Sequence, residues 1–139
     1  MSRPEAGFES IEHTADLKIR AWAPDLRGLI EQAARGMIDL MVDGNPAPQR
    51  HVQITGQGRD AEETLLDCLR EIHLLAELEG LLPVTVQVQR ADEHSATCLV
   101  GVVTAREDLL GEDIKAVTYH DLRIRREDGG LVVEVVFDV

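Results

Sequence analysis

Aromatic side chains are scarce in this sequence, with one Trp, one Tyr and two Phe, so the interior of any fold must be built from Leu, Val, Ile and Ala. There are two cysteines, Cys68 and Cys98, in no C-x-x-C pair and beside no closely spaced histidines, which excludes a disulfide framework or a zinc finger. Both sit inside apolar stretches and read as reduced core thiols. No apolar run approaches the roughly 20 residues that span a bilayer, and no basic, then apolar leader opens the chain, so a cytoplasmic protein with no membrane partner is expected. Positive charge is also in short supply. With 14 Lys and Arg against 26 Asp and Glu, the formal charge is −12, and a basic stripe with interleaved aromatics is missing. Such a surface repels phosphate backbones, so direct nucleic-acid binding is not expected.

A sequence of 139 residues, 44% of them apolar, is enough to bury a core without disulfides or a structural metal. A single domain over 1–139 is expected. Residues 17–23 alternate apolar and polar side chains as a half-buried strand does, with residues 8–12 as its partner. Leu26, Leu29, Ile30, Ala33, Met37 and Met41 then recur at helical spacing after Pro24-Asp25. Val52 and Ile54 mark a third strand that closes near Gly56 and Gly58, both read as turn residues. Asp60 with Glu63 three residues later predicts the start of a second helix, ended by Gly80 and Pro83. Strands are predicted around Val84, Val86 and Val88, over 96–104, over 117–125 and over 131–138, with residues 105–114 as a polar connection and 126–130 closing a terminal hairpin. The class is α+β: a mixed, mainly antiparallel sheet with two helices packed on one face.

Three short segments carry chemistry. His13-Thr14-Ala15-Asp16 falls between the first two strands, where turn chemistry is the ordinary explanation. Asp138-Val139 offers a side-chain carboxylate beside a terminal carboxylate, two hard oxygen donors able to hold a divalent cation if the last strand is paired. Lys115-Ala116-Val117-Thr118-Tyr119-His120 puts a cation, a hydroxyl, a phenol and an imidazole within six residues, with Thr118 and His120 expected on one strand face. Lys115 is one of two lysines, which fits a place where a compact ammonium is wanted. His51, His73 and His94 have no ligand-like spacing and read as structural or solvated. A Gly-x-Ser-x-Gly elbow, an activated cysteine and a long phosphate-binding glycine fingerprint are all missing.

Taken together, Ile11-Glu12-His13-Thr14-Ala15-Asp16, Lys115-Ala116-Val117-Thr118-Tyr119-His120 and Val136-Phe137-Asp138-Val139, in that order, resemble the archease pattern over nearly the whole chain. Met41-Val42-Asp43, Leu65-Leu66 and Glu79-Gly80-Leu81-Leu82 fit it too. Cys68 and Arg70 depart from it, standing where a tryptophan and an asparagine are expected. The resemblance implies a fold related to the strand-helix-strand-strand domains. It also implies an accessory role in tRNA splicing, promoting guanylylation and multiple turnover of an RtcB-type RNA ligase that does the chemistry. It carries metal ligands onto Asp16, Asp138 and the Val139 carboxylate. Three oxygen donors suit calcium, magnesium or manganese better than zinc. His13, Lys115 and His120 are further functional candidates, and no catalytic residue is assigned. Two alternatives are a small metal-dependent hydrolase or phosphoesterase with His13 or His120 as acid or base, and a ligand-binding module without a ligase partner.

Overall fold

The computed structural model of the chain describes residues 5–12 and 16–139. Its strands fall into two antiparallel sheets rather than one. The first contains β1 (Gly7–Glu12), β2 (Leu17–Ala23), β8 (Gly130–Asp138), β6 (Ala116–Val117) and β7 (Arg125–Glu127), in the order β1-β2-β8-β6 with β7 also on β8. The second is β3 (Arg50–Gln57), β5 (Ser95–Thr104) and β4 (Leu81–Ala91), in the order β3-β5-β4. Two helices complete it, α1 (Leu26–Met41) and α2 (Ala61–Glu79), so the class is α+β as expected.

Each helix begins where its cap dictates. The Asp25 carboxylate accepts from the Gly28 amide at 2.8 Å, and the Asp60 carboxylate from the Glu63 amide at 2.8 Å, each satisfying one of the amides that a first turn leaves unpaired. α2 ends at Gly80, whose φ of 65° is left-handed backbone that a side chain would strain. Pro83 does not stop the chain there. It lies inside β4, an edge strand, next to a register shift, where a missing N–H costs no ladder bond.

α1 packs on β1, β2 and β8 of one sheet and on β4 of the other, and so joins the two. Such close approach needs small residues. A Cβ at Gly36 would lie 2.7 Å from Ile19 Cδ1 and 3.2 Å from Phe8, which explains a glycine in mid-helix that would otherwise cost stability. α2 lies on the second sheet and touches β6. Ile19, Leu29, Met37, Leu65, Leu69 and Phe137 are all fully buried between these layers. Burial of this kind stabilises by about 1.5–3 kcal/mol per large apolar side chain.

Two further segments differ from expectation. Residues 117–125 do not form one strand: β6 stops at Val117, a turn with Asp121 at φ 53° follows, and β7 begins at Arg125. The apolar residues there are used singly, with Leu122 buried in the turn, so period-2 pairing never starts. The connection 105–114 is also less polar than it reads. It contains a short 3-10 helix, Glu107–Leu109, buries Leu109 and Ile114, and is tied to the end of α1 by amides of Asp43, Gly111 and Glu112 bonded to or from its backbone.

Candidate metal centre at one end of the first sheet

The position of the predicted site follows from strand register. β2 and β8 pair from Ala23↔Leu131 to Leu17↔Phe137, so the next position outward on each is Asp16 on β2's side and Asp138 on β8. On the other side of β8, Ala116 pairs with Asp138 and Val117 with Phe137. The Lys115 amide donates to the Asp138 carbonyl at 2.8 Å. One end of β8 is therefore flanked by the start of β2 and the start of β6. Backbones of Asp16, Asp138 and Lys115, which are far apart in sequence, meet there.

Alternation settles the face of Asp138. Phe137 and Val135 are fully buried, so Asp138 is on the outer face together with Glu134 and, across the ladder, with Lys18 and Arg20. The outer face carries an ion-pair ladder. Arg20 donates to Glu134 Oε2 at 2.7 Å through Nη2 and at 3.0 Å through Nε, Lys18 Nζ lies 3.2 Å from Glu134 Oε1, and Arg20 Nη1 is 3.2 Å from Glu9 Oε1. Arg20's hydrogen bonds hold the Glu134 carboxyl below its ordinary value of 4.5 against the opposing effect of burial, and Lys18 adds to the lowering. Both cations are thus turned toward Glu134 on the stretch leading to Asp16 and Asp138.

Other candidates take separate positions. His13 lies outside the described residues, as do Thr14 and Ala15. The Lys115 ammonium is 2.9 Å from Asp113 Oδ2, which raises its pKa and lowers that of Asp113. His120 sits in the turn after β6, largely exposed, with Nε2 3.2 Å from Asp121 Oδ2. Thr118 and His120 therefore do not share a strand face as expected, because the strand has ended. Thr118 donates to the Val136 carbonyl at 3.1 Å.

The donor set fits a hard cation in chemistry and is incomplete in number. Asp16 is half-buried, Asp138 is exposed, and both are oxygen donors. Among the described residues no three His, Cys, Asp or Glu side chains converge, so a cation held here needs a donor outside that set. Val139, 46% exposed and adjacent to Asp138, has the carboxylate to which the resemblance gives that role.

Sequence reasoning did not anticipate how β6 is held. Arg70, on α2, donates to the Val117 carbonyl through Nη2 at 3.2 Å and Nε at 3.3 Å. Buried His73 places Nε2 2.7 Å from the Ile114 carbonyl. Both anchor the approach to Lys115 from the helix side. Arg70 departs from the family pattern, and its sequence neighbourhood contains no signal of a contact 47 residues away. The two thiols are free and buried as expected. A hydrogen bond to Cys98 and burial push the Cys68 thiol up.

Comparison with known proteins agrees with this architecture. The profile of the archease protein family matches residues 8–139. A protein archease of Methanopyrus kandleri is 36% identical over 140 residues, covering 95% of this chain and 99% of that protein. Another, from Methanothermobacter thermautotrophicus, is 31% identical over 140 residues and covers 96% and 99%. Among solved structures, that of Methanobacterium thermoautotrophicum protein 1598 superimposes with a TM-score of 0.74 at 27% identity, covering 96% of this chain and 99% of that one. The crystal structure of an archease from Thermotoga maritima, described as a possible chaperone, gives 0.66 at 23% identity over 100% and 98%, a likeness of fold.

Proposed function

Given that this chain belongs to the archease family, we propose that it is a non-catalytic accessory protein of tRNA splicing. It promotes guanylylation and multiple turnover of an RtcB-type RNA ligase. The observation that supports this most is the strand register that brings Asp16, Asp138 and the Lys115 backbone to one end of β8. In this reading Asp16, Asp138 and the Val139 carboxylate hold calcium, magnesium or manganese. A cation there would supply positive charge at an otherwise anionic end, where a partner's carboxylates or a nucleotide's phosphates could share it. Lys115 and His120 contact a phosphate or an acidic group of the ligase, and His13 is a further functional candidate. RNA stays with the ligase, so the accessory protein needs no basic surface and can be strongly acidic. Its expected place is the cytoplasm; no helix among the described residues is long and apolar enough to cross a membrane.

The test is ligation of a cyclic-phosphate RNA end by the partner ligase with GTP, in excess substrate, with and without this protein. Activation predicts many turnovers per ligase and faster guanylylation with it present, and a loss of most of that gain in Asp138→Asn. Equal turnover with and without the protein would reject the proposal.

A further inference from the structure

α1 is buried nearly all round, and its one outward stripe is Arg27, Glu31, Arg35 and Asp39, alternating in sign at four-residue spacing. The first half of the stripe is occupied. Glu31 Oε1 accepts from the Val88 amide at 2.9 Å, and Arg27 Nη1 donates to the Val88 carbonyl at 3.0 Å. Val88 lies on β4, the edge of its sheet, so these two side chains answer one peptide rung much as a neighbouring strand would.

The second half repeats the pair without the rung. Arg35 and Asp39 come eight residues later, about 12 Å along a helix, and four residues along a strand cover about 13 Å, the distance from Val88 back to Val84. The match is observed: Arg35, Asp39, Val84 and Val86 line one cleft of about 260 Å³, whose apolar wall includes Phe8 and Ile38. Among the described residues neither Arg35 nor Asp39 makes a hydrogen bond or ion pair. Alternation along β4 turns the Val86 amide and carbonyl to the same open side as those of Val88, where no described strand pairs.

We propose that this open half of the seam is a docking site for an extended segment of a partner protein. The segment adds to the β4 edge at Val86, presents a carbonyl to Arg35 and an amide to Asp39, and buries an apolar side chain against Phe8 and Ile38. Charge chooses the rest of its chemistry. A chain of net charge −12, with Asp39 in the cleft wall, favours a segment carrying lysine or arginine at the positions that face solvent. A second copy of this chain would bring its own −12 to the contact and is disfavoured on the same ground.

The site is distinct from the acidic end of β8, so its test does not depend on ligase activation. The probe is an end-capped hexapeptide of alternating Lys and Val, titrated into isotopically labelled protein while amide resonances are followed. Docking predicts saturable shifts at Val84 and Val86. It predicts at least a tenfold loss of affinity in the Arg35→Ala, Asp39→Ala double variant, whose exposed positions leave the spectrum otherwise unchanged. The same peptide N-methylated at its valines should not bind, because it lacks the amides that the edge and Asp39 require. Unshifted Val84 and Val86, equal binding by the N-methylated peptide or by the double variant, or shifts on dilution of the protein alone, which would mean a second copy in the cleft, would each overturn the proposal.

Discussion

Gly56 is the seventh residue of β3, opposite Ala96, and the backbone needs no left-handed conformation there, although Gly56-x-Gly58 reads as a turn. The glycine is required from above. A Cβ would lie 2.4 Å from Cys68 Sγ and 2.7 Å from the Cys68 backbone nitrogen, so α2 crosses the sheet closer than any side chain allows. Gly56→Ala should therefore destabilise the fold by about 1–3 kcal/mol, the usual cost of overpacking a filled core. Because the helix backbone itself is in the way, shortening the thiol should recover little. Denaturant midpoints of Gly56→Ala and of Gly56→Ala with Cys68→Ala check this, and recovery of wild-type stability in the double variant would show that the clash is with the side chain alone.

Elements were legible where a period or a cap repeats, and illegible where one long-range contact replaces a pattern. Both helices could be bounded to within a residue or two, because Asp25, Asp60 and Gly80 act on their own neighbours. The alternation within β2 and within β8 is visible segment by segment, but their pairing with each other is not. What alternation could not show is that β6 would stop after two residues, since it is held by β8 on one side and by Arg70 of α2 on the other. For the candidate site, Asp16, Asp138 and Lys115 stand out through short motifs and the archease resemblance, and their meeting at one sheet end depends on a register that no single segment encodes. The outer ladder of β2 and β8 was likewise invisible, and it has a pH signature. Glu134 has its folded-state pKa lowered, chiefly by Arg20, so its contribution is complete above the ordinary 4.5 and is lost as pH falls through the lower folded value. Glu134 is partly exposed, which limits the ion pairs to about 1 kcal/mol or less at neutral pH. Glu134→Gln should melt slightly below the wild type at pH 7, and the gap should close on acidification below about 4.5. A gap independent of pH would remove the ion pairs as its cause.

For the whole molecule, a formal charge of −12 means that divalent cations will act on it in two ways at once. They screen repulsion among all the carboxylates, and they fill any specific site. Both raise the melting temperature, so a rise alone proves neither. The two differ in what removes them. Diffuse screening is set by ionic strength and acts over roughly 10 Å at 0.1 M salt, so sodium chloride at matched ionic strength reproduces it. It also treats exposed Asp138 as one carboxylate among 26 acidic side chains. A specific site saturates and stabilises by RT ln(1 + [L]/Kd), about 2.7 kcal/mol when the free cation is 100 times its Kd. Asp138→Asn is the sharper variant, since Asp138 is exposed at the strand end and its loss leaves the β2, β8 and β6 pairing intact, so stability without metal should change little. Melting curves with calcium, magnesium and manganese, each against matched sodium chloride, should then show a saturable increment for at least one cation in the wild type that Asp138→Asn and Asp16→Asn lack. If sodium chloride reproduces the whole rise, or if the variants keep it, the carboxylates at the end of β8 are surface charge and the metal centre must be abandoned.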